Sequence, residues 1–351
     1  MSVLGLALST IPPERVDAVL RAALARGLTW VELGHHGESV CRLAGKLIRS
    51  AEKAVFVTVG LAPEQYRPDF DLKRWLKERA GWLGVRAVDG LDFSGLDRET
   101  WPRLKGSSLL EAARKSGLVQ HLGFSFYDQA LYLRPVLKEF NDWAFCRVQA
   151  SFMDADRLPG AEGLISAAAA AGLAVVAAEP LLDGRLLSSI PETVAALWED
   201  RSPLEFALRW AWHEGRAATA AVTLRSPEEV EAAADVADGA VTDLSVREQI
   251  LVSRVRDAYR TLRPVPCTTC RACMPCPQGI DAPRIFELYN DAVMYGDRAY
   301  ARAAFAREGH DVSRCDGCGA CARRCGRHID ITVRVREAAD YLASQDEKDS
   351  P

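Results

Sequence analysis

Eight cysteines fall in two runs, CTTCRACMPCPQGID from Cys267 to Asp281 and CDGCGACARRCGRHID from Cys315 to Asp330. Each run opens C-x2-C-x2-C, adds a fourth cysteine and closes on Ile-Asp, so the two stretches form an internal repeat. Thiolate is the soft ligand that iron–sulfur clusters select. A zinc site would need only four ligands in all, from paired C-x2-C elements and often with histidine. A disulfide framework belongs to small secreted domains. Eight thiolates at this spacing, in a chain of 351 residues, point instead to two [4Fe–4S] clusters.

The repeat resembles the run of bacterial two-cluster ferredoxins, in which three cysteines hold one cube and the fourth reaches across to the other. That resemblance assigns Cys267, Cys270, Cys273 and Cys325 to one cluster, and Cys315, Cys318, Cys321 and Cys276 to the second. Two departures are small changes of loop and remove no ligand. The first run has two residues rather than three before its fourth cysteine, and Gly326 stands where proline is usual. The remaining cysteines, Cys41 and Cys146, lie among apolar residues and read as buried, inert thiols.

The elements that must carry this chemistry follow from periodicity. Up to about residue 240, short apolar runs alternate with helical patterns. VLGLALS, TWVEL, AVFVTVGL, AVDGLDF, VQHLGFSF, FCRVQAS, AVVAAEPL and TAAVTLR read as strands; PERVDAVLRAALARG, DLKRWLKERAGWLG and PLEFALRWAWHEG read as helices. Such alternation implies parallel βαβ units, and eight of them match a (β/α)8 TIM barrel, whose usual size is ~250 residues. An open doubly wound sheet is the alternative, but no G-x-G-x-x-G follows the first strand. The expected division is a barrel over 1–240, a helical linker over 241–266, a small α-helical two-cluster ferredoxin-like domain over 267–341 and a polar tail over 342–351.

Apolar content of 48% and charged content of 26% are those of a soluble globular chain. A net charge of −4 gives no general pull toward nucleic acid or an anionic membrane, so neither is expected as a partner. The longest apolar stretch, LISAAAAAGLAVVAA from Leu164, is too short to span a membrane and reads as helix, glycine stop and strand. With no signal-peptide pattern at MSVLGLALSTIPPER, the expected compartment is the cytoplasm.

ARGLTWVELGHHGES, SGLVQHLGFSFYD, AAEPLLDGRLL and PCTTCRACMPCPQGIDAPRIFELYN together resemble the aldo/keto reductases that carry a C-terminal two-cluster ferredoxin domain. The resemblance covers nearly the whole chain. It implies NADP(H) and a carbonyl substrate at the C-terminal mouth of the strands, with Asp, Tyr, Lys and His assisting hydride transfer. All four of those positions have changed. Glu32 stands for the aspartate and His36 for the tyrosine. Val59 or Gly60 occupies the lysine position, Lys53 lies at the wrong end of that strand, and the histidine segment is Asp92-Phe93-Ser94-Gly95-Leu96.

The cofactor positions are partly kept. Ser125 fits the nicotinamide-contacting serine, while Arg147 replaces a glutamine, with Gln149 one same-face step further on. Arg225 is the one cation near the expected phosphate position. Ser226 and Pro227 there start a helix whose first turn holds Glu228 and Glu229, and Ala233 takes an amide's place. Acids at that helix terminus oppose a phosphate, so weak NADP(H) binding is expected.

Glu32, His36, Arg147 and Glu179 all fall near strand ends that open onto one mouth, and are the expected polar pocket. Glu32 beside His36 would raise the histidine's pKa for proton donation, and Arg147 would anchor an anionic group. A bland alternative pairs Arg147 with Glu179 and closes the mouth. Three readings follow. The first is an iron–sulfur oxidoreductase whose barrel binds a small molecule while two clusters carry electrons. The second is a non-catalytic electron-transfer or docking subunit serving a redox partner protein. The third is an NADP-dependent carbonyl reductase with a rebuilt catalytic set.

Iron and acid-labile sulfide analysis of anaerobically purified protein is expected to give about eight of each per chain. Cys276→Ser should disturb the cluster of Cys315, Cys318 and Cys321, and Cys325→Ser the other. About four of each, or zinc, would refute the assignment.

Overall fold

The computed structural model describes residues 2–154, 161–239 and 243–344. Eight parallel strands close in chain order: β1 (Leu4–Ala7), β2 (Trp30–Glu32), β3 (Phe56–Leu61), β4 (Val88–Leu96), β5 (Val119–Phe126), β6 (Trp143–Gln149), β7 (Ala174–Ala178) and β8 (Thr219–Val222). β8 pairs back onto β1, with Leu4, Gly5 and Leu6 opposite Ala220, Ala221 and Val222. The TIM barrel expected from strand–helix alternation is therefore present, with every strand at the segment that signalled it.

Amphipathic helices cover the strands. The helix Pro13–Ala25 starts with proline in its first turn and buries Val16, Val19, Leu20 and Ala23, a single apolar stripe. The apolar run from Leu164 resolves as the helix Ala161–Ala170, Gly172 at φ 80° and strand β7.

The inside of the barrel is filled by size matching. Trp30 of β2 stacks on Phe56 of β3 at 4.9 Å between ring centroids and meets Phe145 of β6 edge-on at 5.6 Å. Glycines on neighbouring strands make the space. A Cβ at Gly123 would lie 2.3 Å from the Phe145 ring, and one at Gly5 would lie 2.7 Å from the Trp30 ring. With the floor plugged by aromatics, two-residue alternation brings Glu32 to the Trp30 face and Arg147 to the Phe145 face, one layer nearer the strands' C-terminal ends.

The chain divides into two compact units, one of residues 1–184 and 202–246, the other of residues 185–201 and 247–351. The contiguous barrel read as 1–240 thus gives up an insertion. Its two short helices, Arg185–Ser188 and Glu192–Trp198, belong with the second unit. The reason is side-chain pairing: Arg185 Nη1 donates to Asp291 Oδ2 at 2.5 Å, and its guanidinium lies 5.5 Å from the Tyr295 ring.

The second unit is helical: Val246–Thr261, Ala282–Met294, Arg298–Arg307, Ala320–Arg324 and Ile331–Ala343 follow one another. The first of these fills the segment read as a linker, and the last extends to Ala343. The polar tail beyond residue 344 lies outside the described residues. Ile280, Ile285, Phe286, Ile329, Ile331 and Val335 form the core against which the cysteine loops pack. The repeated Ile-Asp has a mechanical meaning here. Each isoleucine, Ile280 or Ile329, enters the core, and each aspartate caps the next helix: Asp281 accepts from Arg284 N at 3.2 Å and Asp330 from Val333 N at 3.4 Å.

Candidate functional site

Three charged side chains from alternate strands meet inside the barrel. Arg147 of β6 holds Glu32 of β2 through two parallel bonds, Nη1 to Oε1 at 2.9 Å and Nη2 to Oε2 at 2.8 Å. Nη1 also reaches Asp92 Oδ2 of β4 at 3.2 Å. All three are buried, with Asp92 fully enclosed, 3% of Glu32 exposed and 7% of Arg147. A fork-to-carboxylate pair is the strong form of an ion pair, but two carboxyl groups here share one cation. Burial pushes the Glu32 carboxyl up; Arg147 works against that shift and Asp92 adds to it. Burial pulls the pKa of the guanidinium down, yet Glu32 and Asp92 hold it above the ordinary value. Asp92 Oδ1 and Arg147 Nε are buried without a hydrogen-bond partner.

The expected pocket is thus brought together in part. Glu32 and Arg147 meet, and the partners of Arg147 are Glu32 and Asp92. His36 does not pair with Glu32. Its Nε2 donates to the Leu8 carbonyl at 2.7 Å, and neighbouring His35 gives Nδ1 to the Gly60 carbonyl at 3.0 Å. The turn after β2 explains the divergence. Gly34 sits at φ 55°, where a Cβ would strike Ser9 at 2.5 Å, and beyond this sharp turn His36 reaches the Leu8 carbonyl while His35 stays within electrostatic reach of Glu32.

Glu179 makes separate hydrogen bonds but lies within electrostatic reach of Glu32 and Arg147. Its Oε1 accepts from Thr223 Oγ1 at 3.0 Å and its Oε2 from Asp183 N at 3.0 Å. Burial, joined by the charge of Asp183, pushes its carboxyl up to about 7. Glu179, Leu182 and Asp183 have φ of 51°, 52° and 58°, a left-handed backbone that costs non-glycine residues ~1 kcal/mol or more each.

The cofactor positions have internal partners. Ser125 Oγ accepts from Gly95 N at 2.9 Å, and Gln149 Nε2 donates to Asp154 Oδ2 at 3.0 Å. Arg225 Nη2 donates to the Asp183 carbonyl at 2.7 Å. Ser226 caps the helix Pro227–Asp238, and Glu229 of its first turn folds back to accept from Arg225 N at 2.7 Å. A carboxylate therefore takes a backbone donor at the positive end of the helix, where a phosphate would need it. These residues do not fit an NADP phosphate.

Sequence reasoning passed over two groups. Asp92 was legible only by strand parity, since it shares a face with Gly90 and Ser94. Tyr127 follows β5 directly; the residue is 54% exposed, yet surrounding protein pushes its hydroxyl up to about 12, with Arg147 opposing and Asp92, Glu32 and Glu179 adding. Its signal was position, a phenol at the C-terminal end of a barrel strand.

In the second unit the thiols of the two runs lie near one another, Cys273 within electrostatic reach of Cys321. Cys267 lies within electrostatic reach of Cys270 and Cys325, and Cys321 within reach of Cys276 and Cys318. Burial pushes the thiols of Cys267 and Cys321 up and that of Cys273 to about 12; bound iron would hold them as thiolates. Among the described residues no three His, Cys, Asp or Glu side chains converge on a single ion; a cube asks for less convergence, one thiolate to each iron. Thr269 and Arg271 adopt φ of 54° and 59°, and Thr269 N donates to Cys267 Sγ at 3.4 Å. Buried Asn290 fixes the entry to the first run, bonding Val265 N at 3.0 Å and Val265 O at 2.8 Å. These residues fit [4Fe–4S] clusters. Cys41 and Cys146 are buried in the barrel and their thiols are raised by burial, as expected of inert cysteines.

The model of the aldo/keto reductase family matches residues 3–248, and that of a 4Fe-4S dicluster domain matches residues 266–329. The chain belongs to the aldo/keto reductase family. It joins that barrel to a 4Fe-4S ferredoxin-like domain, which defines an iron–sulfur member of the family. Among solved structures it is similar to an aldo-keto reductase from Bacillus halodurans, with 16% identity over 72% of this chain and 91% of that one, at a TM-score of 0.60. An aldo/keto reductase from Klebsiella pneumoniae, solved with NADP and acetate, aligns at 17% identity over 72% and 91%, with a TM-score of 0.59. Identities this low speak for the fold alone. A search of curated proteins finds no match. Among the described residues no helix is long and apolar enough to cross a membrane.

Arg147→Met should destabilise the barrel by about 3–5 kcal/mol, because Glu32 and Asp92 would keep buried charge without a cation. Urea unfolding of the holoprotein at neutral pH measures the loss, and adding Glu32→Gln with Asp92→Asn should recover much of it. A loss below about 1 kcal/mol would show that the triad is not a paired buried charge.

Proposed function

We propose that this protein is a one-electron iron–sulfur redox protein whose barrel has left nicotinamide-dependent carbonyl reduction. The observation that carries the reading is Arg147 locked between Glu32 and Asp92, at the height where the family resemblance calls for catalytic groups. Carbonyl reduction needs a proton donor beside the substrate oxygen and a seat for the cofactor phosphate. Glu32 is instead committed to Arg147, His36 to a backbone carbonyl, and the helix terminus to Glu229. The two clusters supply single-electron transfer when bound. The chain's own contribution is to hold eight thiols on a packed helical core and to fix the turns that present backbone donors to them.

Anaerobic titration of the oxidised holoprotein with NADPH and with NADH is expected to leave the cluster absorbance unchanged, whereas a low-potential mediator bleaches it. Calorimetry should find no low-micromolar NADPH binding. Bleaching by either nucleotide, or steady turnover of common aldehydes, would restore the reductase reading.

Glu179 favours a second reading, in which the barrel mouth handles a proton for a small molecule while the clusters exchange electrons. A carboxylate poised near neutrality on a strained turn, and within electrostatic reach of the Tyr127 hydroxyl, suits general acid–base work. Glu32, His36, Arg147 and Glu179 would then be the residues to substitute. The poise itself has a measurable sign. A folded-state carboxyl raised to about 7 from 4.5 binds more protons than the unfolded chain between those values, so stability falls as pH rises across that window. Glu179→Gln should remove this slope, a change on the order of 2–3 kcal/mol between pH 4.5 and 7. Identical profiles for the two proteins would discard the poised carboxylate.

A further inference from the structure

The arginines of the second unit are distributed unevenly around the two thiol groups. Between residues 314 and 336 the chain carries six arginines against two aspartates, a local net charge of +4 within a chain of net charge −4. Three of these guanidiniums bond backbone carbonyls of the loops that bear the second ligand set. Arg323 donates to the Cys318 carbonyl at 3.2 Å and Arg336 to the Cys315 carbonyl at 3.2 Å. Arg324 reaches the carbonyls of Met274 and Pro275, just before Cys276, at 3.5 and 3.4 Å. Arg314 lies beside Gly279 on the far side of Cys276, its Nη1 4.0 Å from where a Cβ there would stand.

Arg334 pairs with Glu337 at 2.7 Å, and the two aspartates do little to neutralise the other five. Asp330 caps a helix, and Asp316 accepts from Cys318 N at 3.0 Å and from Gln278 Nε2 at 3.0 Å. Arg314, Arg323, Arg324, Arg327 and Arg336 are all exposed, and so is the ligand Cys318. By contrast, Cys273 of the first ligand set is buried, and Arg271 beside it is paired with Asp281 at 3.0 Å.

We infer that this basic collar around the set of Cys276, Cys315, Cys318 and Cys321 is where an acidic redox protein docks, and that the second cluster is the electron port. The inference rests on the electron-carrier reading above and assigns it a face and a partner charge. An exposed ligand loop shortens the path to a partner's redox group, and a ring of cations steers a negatively charged protein onto that loop. In the step, one electron passes from the reduced partner to the cluster: the partner is oxidised by one equivalent, the cluster reduced by one, and no bond is made or broken. Arginine suits the purpose because its charge persists at every physiological pH and its fork can hold a loop carbonyl through one N–H while the others face outward.

The test uses anaerobically purified holoprotein and an acidic flavodoxin as probe, with basic cytochrome c as the opposite-charge control. Both partners are kept oxidised and binding is measured by calorimetry, so no electron transfer is needed for the readout. Flavodoxin should bind at low ionic strength, lose affinity as salt is raised, and bind more tightly than cytochrome c. R314E/R327E, which touches no loop carbonyl, should lower flavodoxin affinity by about tenfold while leaving the cluster absorbance and its reduction by a neutral mediator unchanged. Salt-independent binding, equal binding of cytochrome c, or an unchanged R314E/R327E would overturn the dock while the carrier reading stands. Clusters that take no electron from the neutral mediator would overturn the carrier reading and the dock with it.

Discussion

A closed parallel barrel has an interior that must be filled, and in this protein that requirement is met by two layers of opposite character. The lower layer is aromatic, with Trp30, Phe56 and Phe145 seated in space left by Gly5 and Gly123. The upper layer is the ion triad of Glu32, Asp92 and Arg147. Neither layer tolerates piecemeal change. The aromatic rings leave no room for a Cβ on the facing strands, and each member of the triad is held by charges that would be stranded without it. The strand ends that carry the mouth are therefore fixed from below.

The polar groups around the mouth follow the same logic of internal satisfaction. Ser125, Gln149 and Arg225 each have a protein partner, and Glu229 supplies a carboxylate at the helix terminus. Glu179 is the exception in character. It is satisfied by Thr223 and a backbone amide, yet burial beside Asp183 leaves it close to its titration point, on a turn held in an unfavourable backbone conformation.

The second unit solves a different problem, presenting eight thiols with little regular structure around them. Its solution is repetition. Each cysteine run ends in an isoleucine that enters the core and an aspartate that starts the next helix, so each loop is anchored immediately after its last ligand. Thiols of the two runs come within electrostatic reach of one another, Cys267 of Cys325, Cys321 of Cys276 and Cys273 of Cys321, and clusters bound there would tie the two halves together. Arginines on the second half add charge and loop support at once, and both act on a cluster's potential.

The eight strands, the helical second unit and the full cysteine set were legible in the sequence because their signals are local: alternation, spacing and a repeated run. Glu32 and Arg147 were legible as inward charges for the same reason. What the sequence left open was who meets whom. Arg147 pairs with Glu32 and Asp92, His36 turns to the Leu8 carbonyl, and residues 185–201 leave the barrel for the second unit. Parity assigns a side chain to the inner face of a strand, but the height at which strands far apart in sequence bring their residues level is set by barrel closure. Only the folded chain fixes that register, and with it the partner of every charge in the mouth.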